Sequence, residues 1–476
     1  MKNNLRRGFL KCMKTVSINT TILLGIITSY LFLLLGCDAF VEVDLPSSQL
    51  AAQAVFEDKN TANAAMTNIY ASFRDSGIIS GNVFGISNEM GNYADELVYY
   101  GTTTNAGQDF YNNTILSTNS QISSWWSRSY NQIYAANAII EGLNSSTMIA
   151  VNDKNNLTGE ALFVRALLHF YLLNIYGDIP YVITTNYQQN KLVGRMPSDA
   201  VYTHLIEDLS QSIALLPENY HTADRIRPNK SAAKALLARI YLYSGAWAEA
   251  ANVASYIINN TSVYSWEENL DKIFLKESGA TIWQLKPVAE GQNTGEGETF
   301  IFTAGPPPIV ALSTELLNAF ESGDLRKEHW TKAVTNGTST WYHSYKYKEQ
   351  NATSASLEYS VIFRLAEQYL IRAEARAHQG DLIGAKEDLN KIRHTAGLAA
   401  TSAVSQAEIL DAIQHERQVE FFTEEGHRFF DLKRTGRIDE VLAPVKPGWG
   451  SNDKLFPVPE SELLLNPNLA PQNPGY

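Results

Sequence analysis

The chain has 476 residues, 45% of them hydrophobic and 18% charged, which supplies a large core and excludes a disordered chain. Its formal charge of −12 argues against a nucleic-acid partner and against tight adhesion to anionic lipid. The informative excess is aromatic: 24 Tyr, 19 Phe and 8 Trp, more rings than a core alone calls for and of the kind a carbohydrate- or peptide-binding surface uses.

Residues 1–36 read as a targeting segment. Lys2, Arg6, Arg7, Lys11 and Lys14 precede an apolar run over 22–35 that ends in Leu34-Leu35-Gly36-Cys37. A small residue followed by cysteine at the end of such a run is the pattern of a bacterial lipoprotein signal, so Cys37 is the expected lipidation site and first processed residue. Met13-Lys14 supplies an alternative start with its own short positive region. An uncleaved anchor is disfavoured because the run is short of the ~20 apolar residues a spanning helix needs. Cys12 is lost with the signal, which leaves no thiol for a disulfide. Processing removes five Lys or Arg and no Asp or Glu, leaving 33 basic against 50 acidic side chains, a charge of −17.

Past the signal, Asp38, Glu42 and Asp44 among apolar neighbours read as a tether. Residues 76–124 are rich in Gly, Ser, Thr and Asn, carry Tyr93, Tyr99, Tyr100 and Tyr111, and resist helix assignment. Trp125-Trp126 precede Tyr130, Ile133 and Tyr134 at helical spacing and read as core. Residues 159–176 place Leu162, Ala166 and Phe170 on one helix face, stopped by Gly177-Asp178-Ile179-Pro180. Further helices are expected over 200–216, before Pro217, and over 231–245, after Pro228 and up to Gly245. There is weak internal repetition. Leu236-Leu237-Ala238, Tyr241, Gly245 and Ala250 parallel Leu370, Ala373, Ala377, Gly380 and Ala385, the spacing of a tetratricopeptide helix pair. The pairs are scattered along the chain, which predicts a helical scaffold other than a plain solenoid. Residues 261–355 again resist helix, with Pro306-Pro307-Pro308, the alternating run 281–285, Trp266, Trp330, Trp341 and Tyr342. The Pro- and Asn-rich tail from Leu455 is expected to wrap the body.

No catalytic motif is complete. His415-Glu416 opens like a zinc-protease helix, but Val419 stands where the second His belongs. Gly295-Glu296-Gly297 resembles a phosphate loop, but Phe300 replaces its last glycine and no helix is expected to follow. Nine His lack paired metal-ligand spacing. Glu416 and Glu420 share a helix face, as a glycosidase pair would. Arg417 and Arg428 stand beside them, which favours an ion-pair network without raised carboxyl pKa values. The expectation is a binding protein, not an enzyme, with no metal and no cofactor.

Several segments, in order, resemble the SusD/RagB family of nutrient-uptake outer-membrane lipoproteins. They are GEALFVRALLHFYLLNIYGDIP at 159–180, RPNKSAAKALLARIYLYSG at 227–245 and FRLAEQYLIRAEARAHQGD at 363–381. LNKIRHTAGL at 389–398, ERQVEFFTEEGHRFFDLKRTGR at 416–437 and the tail from LFPVPESEL to QNPGY complete the match. Thr423-Glu424-Glu425-Gly426 departs from the family's commoner apolar residue before Glu-Gly. The resemblance implies a mainly α fold, with tetratricopeptide-like pairs, a loop-rich ligand region and few short strands. It spans 37–476, divided near 260 into N- and C-terminal parts. It also implies a lid, facing the cell exterior, on a SusC-like TonB-dependent outer-membrane transporter.

The expected ligand is an oligosaccharide; the rivals are an oligopeptide, or a protein gripped by the helices with no small ligand. The helices' rings are expected to be used up in packing, which leaves the two loop-rich stretches to build the site. Tyr99, Tyr100, Asn105, Asp109 and Tyr111 are the candidates from the first, and Phe300, Trp341 and Tyr342 from the second, combining rings with groups that bond sugar hydroxyls.

Overall fold

Apolar residues at helical spacing dominate the sequence, and helix dominates the structure. The structure, a computed structural model, describes residues 54–101 and 106–476; Cys37 and Asn105 lie outside the described residues. The chain begins with α1 (Lys59–Ser76), α2 (Ile86–Tyr93), β1 (Leu97–Tyr99) and α3 (Ala106–Asn112). The long helices α4 (Ser120–Ser145), α5 (Val151–Tyr176), α6 (Ser198–Leu215), α7 (Lys230–Tyr243) and α8 (Trp247–Ile258) follow. A middle stretch carries β2 (Thr281–Leu285), the short α9 (Gly295–Phe300), β3 (Val310–Leu312), β4 (Thr331–Thr335), β5 (Thr340–Ser344) and β6 (Ser360–Arg364). Helices resume with α10 (Leu365–His378), α11 (Leu382–Thr395), α12 (Gln406–Phe421), α13 (His427–Arg434) and α14 (Glu460–Leu465).

Local chemistry sets the helix ends. The Asn119 and Asn229 side chains accept from the first free N–H groups of α4 and α7, and Ser405 with Glu408 forms a reciprocal cap on α12. The turns α7–α8 and α10–α11 pass through Gly245 and Gly380 at φ of +74° and +84°. Nothing lies within 4 Å of where a Cβ would stand on Gly380, so the backbone angle, not space, requires glycine there. Every residue of α5 from Gly159 to Tyr176 is buried, so this helix is the axis of the core. Its charged members are paired: Arg165 donates to both Asp208 oxygens at 2.7 and 2.6 Å, and Glu160 accepts from Arg227 and Tyr70.

The helices pack as a continuous stack: α4 on α5, α5 on α6, α6 on α7, α7 on α8, α8 on α10, α10 on α11, and α12 against both of the last two. The expected scaffold of helix pairs scattered along the chain holds, and the packing shows how they meet. The pairs α7–α8 and α10–α11 are distant in sequence but neighbours in space, and residues 259–364 are an insertion between them. The insertion leaves and rejoins the stack through β2 and β6, an antiparallel ribbon with Thr281 opposite Arg364 and Leu285 opposite Ser360. Both strands are buried along their whole length, and Trp283 at their centre meets Phe163 edge-on at 5.0 Å.

Two expectations change. Residues 76–124 contain α2, α3 and the start of α4; α2 reads Ile-Ser-Asn-Glu-Met-Gly-Asn-Tyr with all eight residues buried, so it has no polar face to set an amphipathic period. In the stretch 261–355, which resists helix assignment, Gly295-Glu296-Gly297 is itself the opening of the short helix α9, and Glu296 is buried there, accepting from Ser360 at 2.7 Å. Trp125 and Trp126 are core, as expected. The tail wraps the body: Phe456 and Val458 are buried, and the Asn473 amide donates to the Tyr176 and Phe456 carbonyls at 2.7 and 2.6 Å.

Candidate functional site

The insertion meets the N-terminal stretch through a short ribbon. β1 pairs antiparallel with β3, Leu97 opposite Leu312 and Tyr99 opposite Val310, and the Tyr100 N–H extends the ladder to the Ile309 carbonyl at 2.7 Å. β3 in turn lies beside β5, the partner of β4. Beneath this junction Leu97, Val310, Leu312, Trp330 and Tyr347 form a separate small core. Tyr99 and Tyr342 pack half-buried against it. The two stretches singled out in the sequence are thus physically joined.

Burial first, then the neighbouring Tyr100 and Glu315, hold the Tyr111 hydroxyl's pKa above its ordinary value. The Lys446 ammonium lies 4.2 Å from the centre of the Tyr111 ring. Lys446 is itself buried, donates to the Asn92 carbonyl at 2.6 Å, and is pushed down to about 8 by desolvation. Nothing in the Val-Lys-Pro-Gly segment around it signals this position. Asp109 accepts from Asn119 at 2.8 Å, which fixes one carboxylate oxygen. Trp341 is half-buried over Gly305: a Cβ on Gly305 would stand 2.1 Å from the indole, so only glycine lets the ring lie against that backbone.

One placement differs from expectation. Phe300 is 4% exposed and belongs to the small core, because α9 turns its last residue inward; it presents no ring face to a ligand. Trp341 and Tyr342 lie on opposite sides of β5. Side chains alternate along a strand, so Tyr342 turns to the small core while Trp341 lies on Gly305, on the side where His343 meets Phe302 at 5.1 Å.

The carboxylates of α12 form a buried ionic hub. Arg326 bridges Glu416 and Glu420 at 2.6 and 2.9 Å, and Arg364 bridges Glu420 and Glu424 at 2.5 and 2.8 Å. The network reading holds, but its cations come from the insertion and β6: Arg417 pairs instead with Asp431, and Arg428 with Asp95. Burial pushes the Glu420 carboxyl up, yet Arg364 and Arg326 outweigh it and hold it below its ordinary value. Glu416 moves the other way, because burial exceeds the pull of Arg326 and Arg393. Both side chains are buried. Among the described residues no group of three or more His, Cys, Asp or Glu is placed to hold a metal ion.

Fold and surface together define a helical-repeat scaffold whose insertion presents a partly exposed aromatic face. A family profile described as "Starch-binding associating with outer membrane" matches residues 46–242, and one described as "SusD family" matches 321–476. SusD-like protein P2 of Formosa agariphila is 26% identical over 94% of this chain and 98% of its own. A SusD superfamily protein of Bacteroides vulgatus superposes with a TM-score of 0.77 at 22% identity, covering 88% of this chain and 99% of its own. A laminarin-binding SusD-like protein gives 0.73 at 24%, over 88% and 99%. The chain belongs to the SusD/RagB family.

Proposed function

We propose that this protein is a cell-surface, glycan-binding lipoprotein, anchored through Cys37, that captures an oligosaccharide and hands it to a SusC-like TonB-dependent outer-membrane transporter. One observation carries the reading. Two aromatic stretches more than two hundred positions apart are joined by the β1–β3 pairing, with β5 alongside, and keep Tyr99, Tyr100, Tyr111 and Trp341 partly exposed. Rings stack on the apolar faces of sugars, while Asp109 and backbone groups bond hydroxyls. The starch-binding description of the matching profile and the laminarin-binding structural relative support a glycan as the ligand class.

The reading gives the chain no bond to cleave, and it is supported by the burial in the ionic hub of Glu416 and Glu420, the carboxylates nearest in type to an acid–base pair. A lipid-tethered protein outside a membrane cannot carry ligand through it, which is why a transporter partner belongs to the proposal. Titration of the processed chain with starch, laminarin and a panel of neutral polysaccharides tests the ligand, and a reducing-end assay on the same mixtures tests catalysis. Retention by no glycan would overturn the proposal, and so would reproducible release of reducing ends. Gentle detergent extraction should co-purify a TonB-dependent transporter.

A further inference from the structure

The helices' rings are not all used up in packing. On α4, Trp126, Tyr130 and Tyr134 follow one another at four-residue spacing, so they share a face. Trp126 is buried, Tyr130 is half-buried, and Tyr134 is 52% exposed. This row lines a groove of about 430 Å³, and the short helix Tyr187–Asn190 contributes Tyr187, 72% exposed, to the same groove. The groove is preformed. The Tyr130 hydroxyl donates to the Pro180 carbonyl at 2.8 Å, and the Thr185 N–H donates to Glu141 at 2.9 Å, which fixes the extended segment between α5 and Tyr187.

The polar lining suits hydroxyl groups. Glu462 of α14 reaches the groove, and its carboxylate accepts from Ser127 at 3.4 Å, a long bond for an acceptor with about four lone-pair positions. Burial pushes the Glu462 carboxyl's pKa up against the weaker pull of Ser127 and the Trp126 indole, so this group is partly stripped of water, with no salt bridge to it among the described residues. Asn131 is exposed one turn from Ser127. The charged residues lining the groove are Lys191 and Glu462, whose formal charges cancel, which matches a neutral occupant. Ring faces for sugar C–H groups, a desolvated acceptor and no net charge are the complement of a neutral saccharide.

We infer that this groove is a second saccharide-binding site, distinct from the loop surface, in which Tyr134 and Tyr187 stack on sugar rings of a neutral glycan and Glu462 accepts from its hydroxyls. The inference rests on the glycan-binding function proposed above. It adds a grip on the helical scaffold, so a long glycan has two places to bind one chain.

The test is retardation in gels cast with starch, laminarin or a panel of neutral polysaccharides, followed by titration on those that retain the wild-type chain. Three variants are compared: a groove variant (Tyr134→Ala with Tyr187→Ala), a loop variant (Tyr100→Ala with Trp341→Ala), and their combination. Both groove rings are exposed, so melting should be unchanged. The groove variant should bind a retained polysaccharide roughly ten-fold more weakly, the loss of a stacking platform. Glu462→Gln should weaken it less. The loop variant should keep a residual affinity that the combination abolishes. Wild-type affinity in the groove variant, with no residue left in the loop variant, overturns the second site and leaves the proposed function standing. Saturable binding of peptides, lost in the groove variant while glycan binding persists, overturns it too. Wild-type retention by no polysaccharide removes the proposed function and the second site together.

Discussion

Trp341 and Phe300 are both rings of the insertion, but the structure gives them opposite fates, and alanine at each should separate ligand binding from stability. Phe300 sits in the small core beneath the β1–β3 ribbon, 4% exposed. Its removal leaves a cavity, at a cost of about 3–5 kcal/mol. Trp341 is half-buried on Gly305, and its loss should cost less than ~2 kcal/mol of stability. Unfolding entropy of about 2 cal/mol/K per residue, over roughly 420 residues, makes 1 kcal/mol worth about 1 °C in melting temperature. Phe300→Ala should therefore melt about 3–5 °C lower and bind glycan as before. Trp341→Ala should melt within ~2 °C of wild type and bind about five- to a hundred-fold more weakly, since a stacking contact is worth ~1–3 kcal/mol in nucleic-acid cases. Scanning calorimetry and titration with a retained polysaccharide read the two effects. If Trp341→Ala melts several degrees lower and keeps full affinity, the indole is a packing group and the loop surface is misplaced.

Three other outcomes are expected. Glu89 on α2 is pushed up to about 8, first by burial and then by Asp109, from an ordinary 4.5. The folded chain therefore holds a proton that the unfolded chain releases above pH 4.5, and this group's contribution to stability falls as pH rises to about 8, then levels. Relative to wild type, Glu89→Gln should gain about 1.4 kcal/mol per pH unit across that window, read by denaturant melts at several pH values; a pH-independent difference would refute it. Arg239 and Glu367, both buried, tie α7 to α10 at 2.5 and 2.9 Å. Glu367→Ala strands a buried cation and should cost about 3–5 kcal/mol, whereas Arg239→Met with Glu367→Leu should recover most of it; equal loss in both would show that charge pairing is not the cause. Cys37→Ala should leave the protein unprocessed or soluble, and unchanged membrane fractionation would end the lipoprotein reading.

The scaffold was legible wherever one helix face meets the core and a glycine or proline ends the run. The bounds 159–176, 200–216 and 231–245 fall within a few residues of helix ends, apart from the polar first turns of α5, where Val151-Asn152-Asp153-Lys154 carries no apolar stripe. α2 was hidden because its buried residues include Asn88, Glu89 and Asn92, which a periodicity argument counts as surface. The neighbourhood of α8 and α10 was hidden because local spacing carries no information on what an insertion of a hundred residues brings back together. The two stretches were expected to build one surface from their composition and from the family resemblance; that a β1–β3 pairing joins them, that Phe300 turns inward and that Lys446 is buried depend on tertiary packing alone. Tyr134 was misjudged for a related reason: helical spacing places it on the row of Trp126 and Tyr130, but the row runs out of the core before it reaches Tyr134.

The insertion is fixed firmly at its base and loosely at its tip. Its return to the stack is fixed by two fully buried strands and by the ionic hub, in which Arg326, Lys346 and Arg364 of the inserted segment bond carboxylates of α12 and the turn after it. Arginines held at 2.5–2.9 Å by two carboxylates each leave little freedom at the base. The distal residues are held far less: Trp341 rests on a glycine, and the β4–β5 tip around Gly337 is exposed. Substitution at the tip should leave what holds the fold untouched, because the buried strands and the ionic hub lie at the base of the insertion. The segments that carry the family likeness, 159–180, 227–245, 363–381 and 416–437, fall outside that tip.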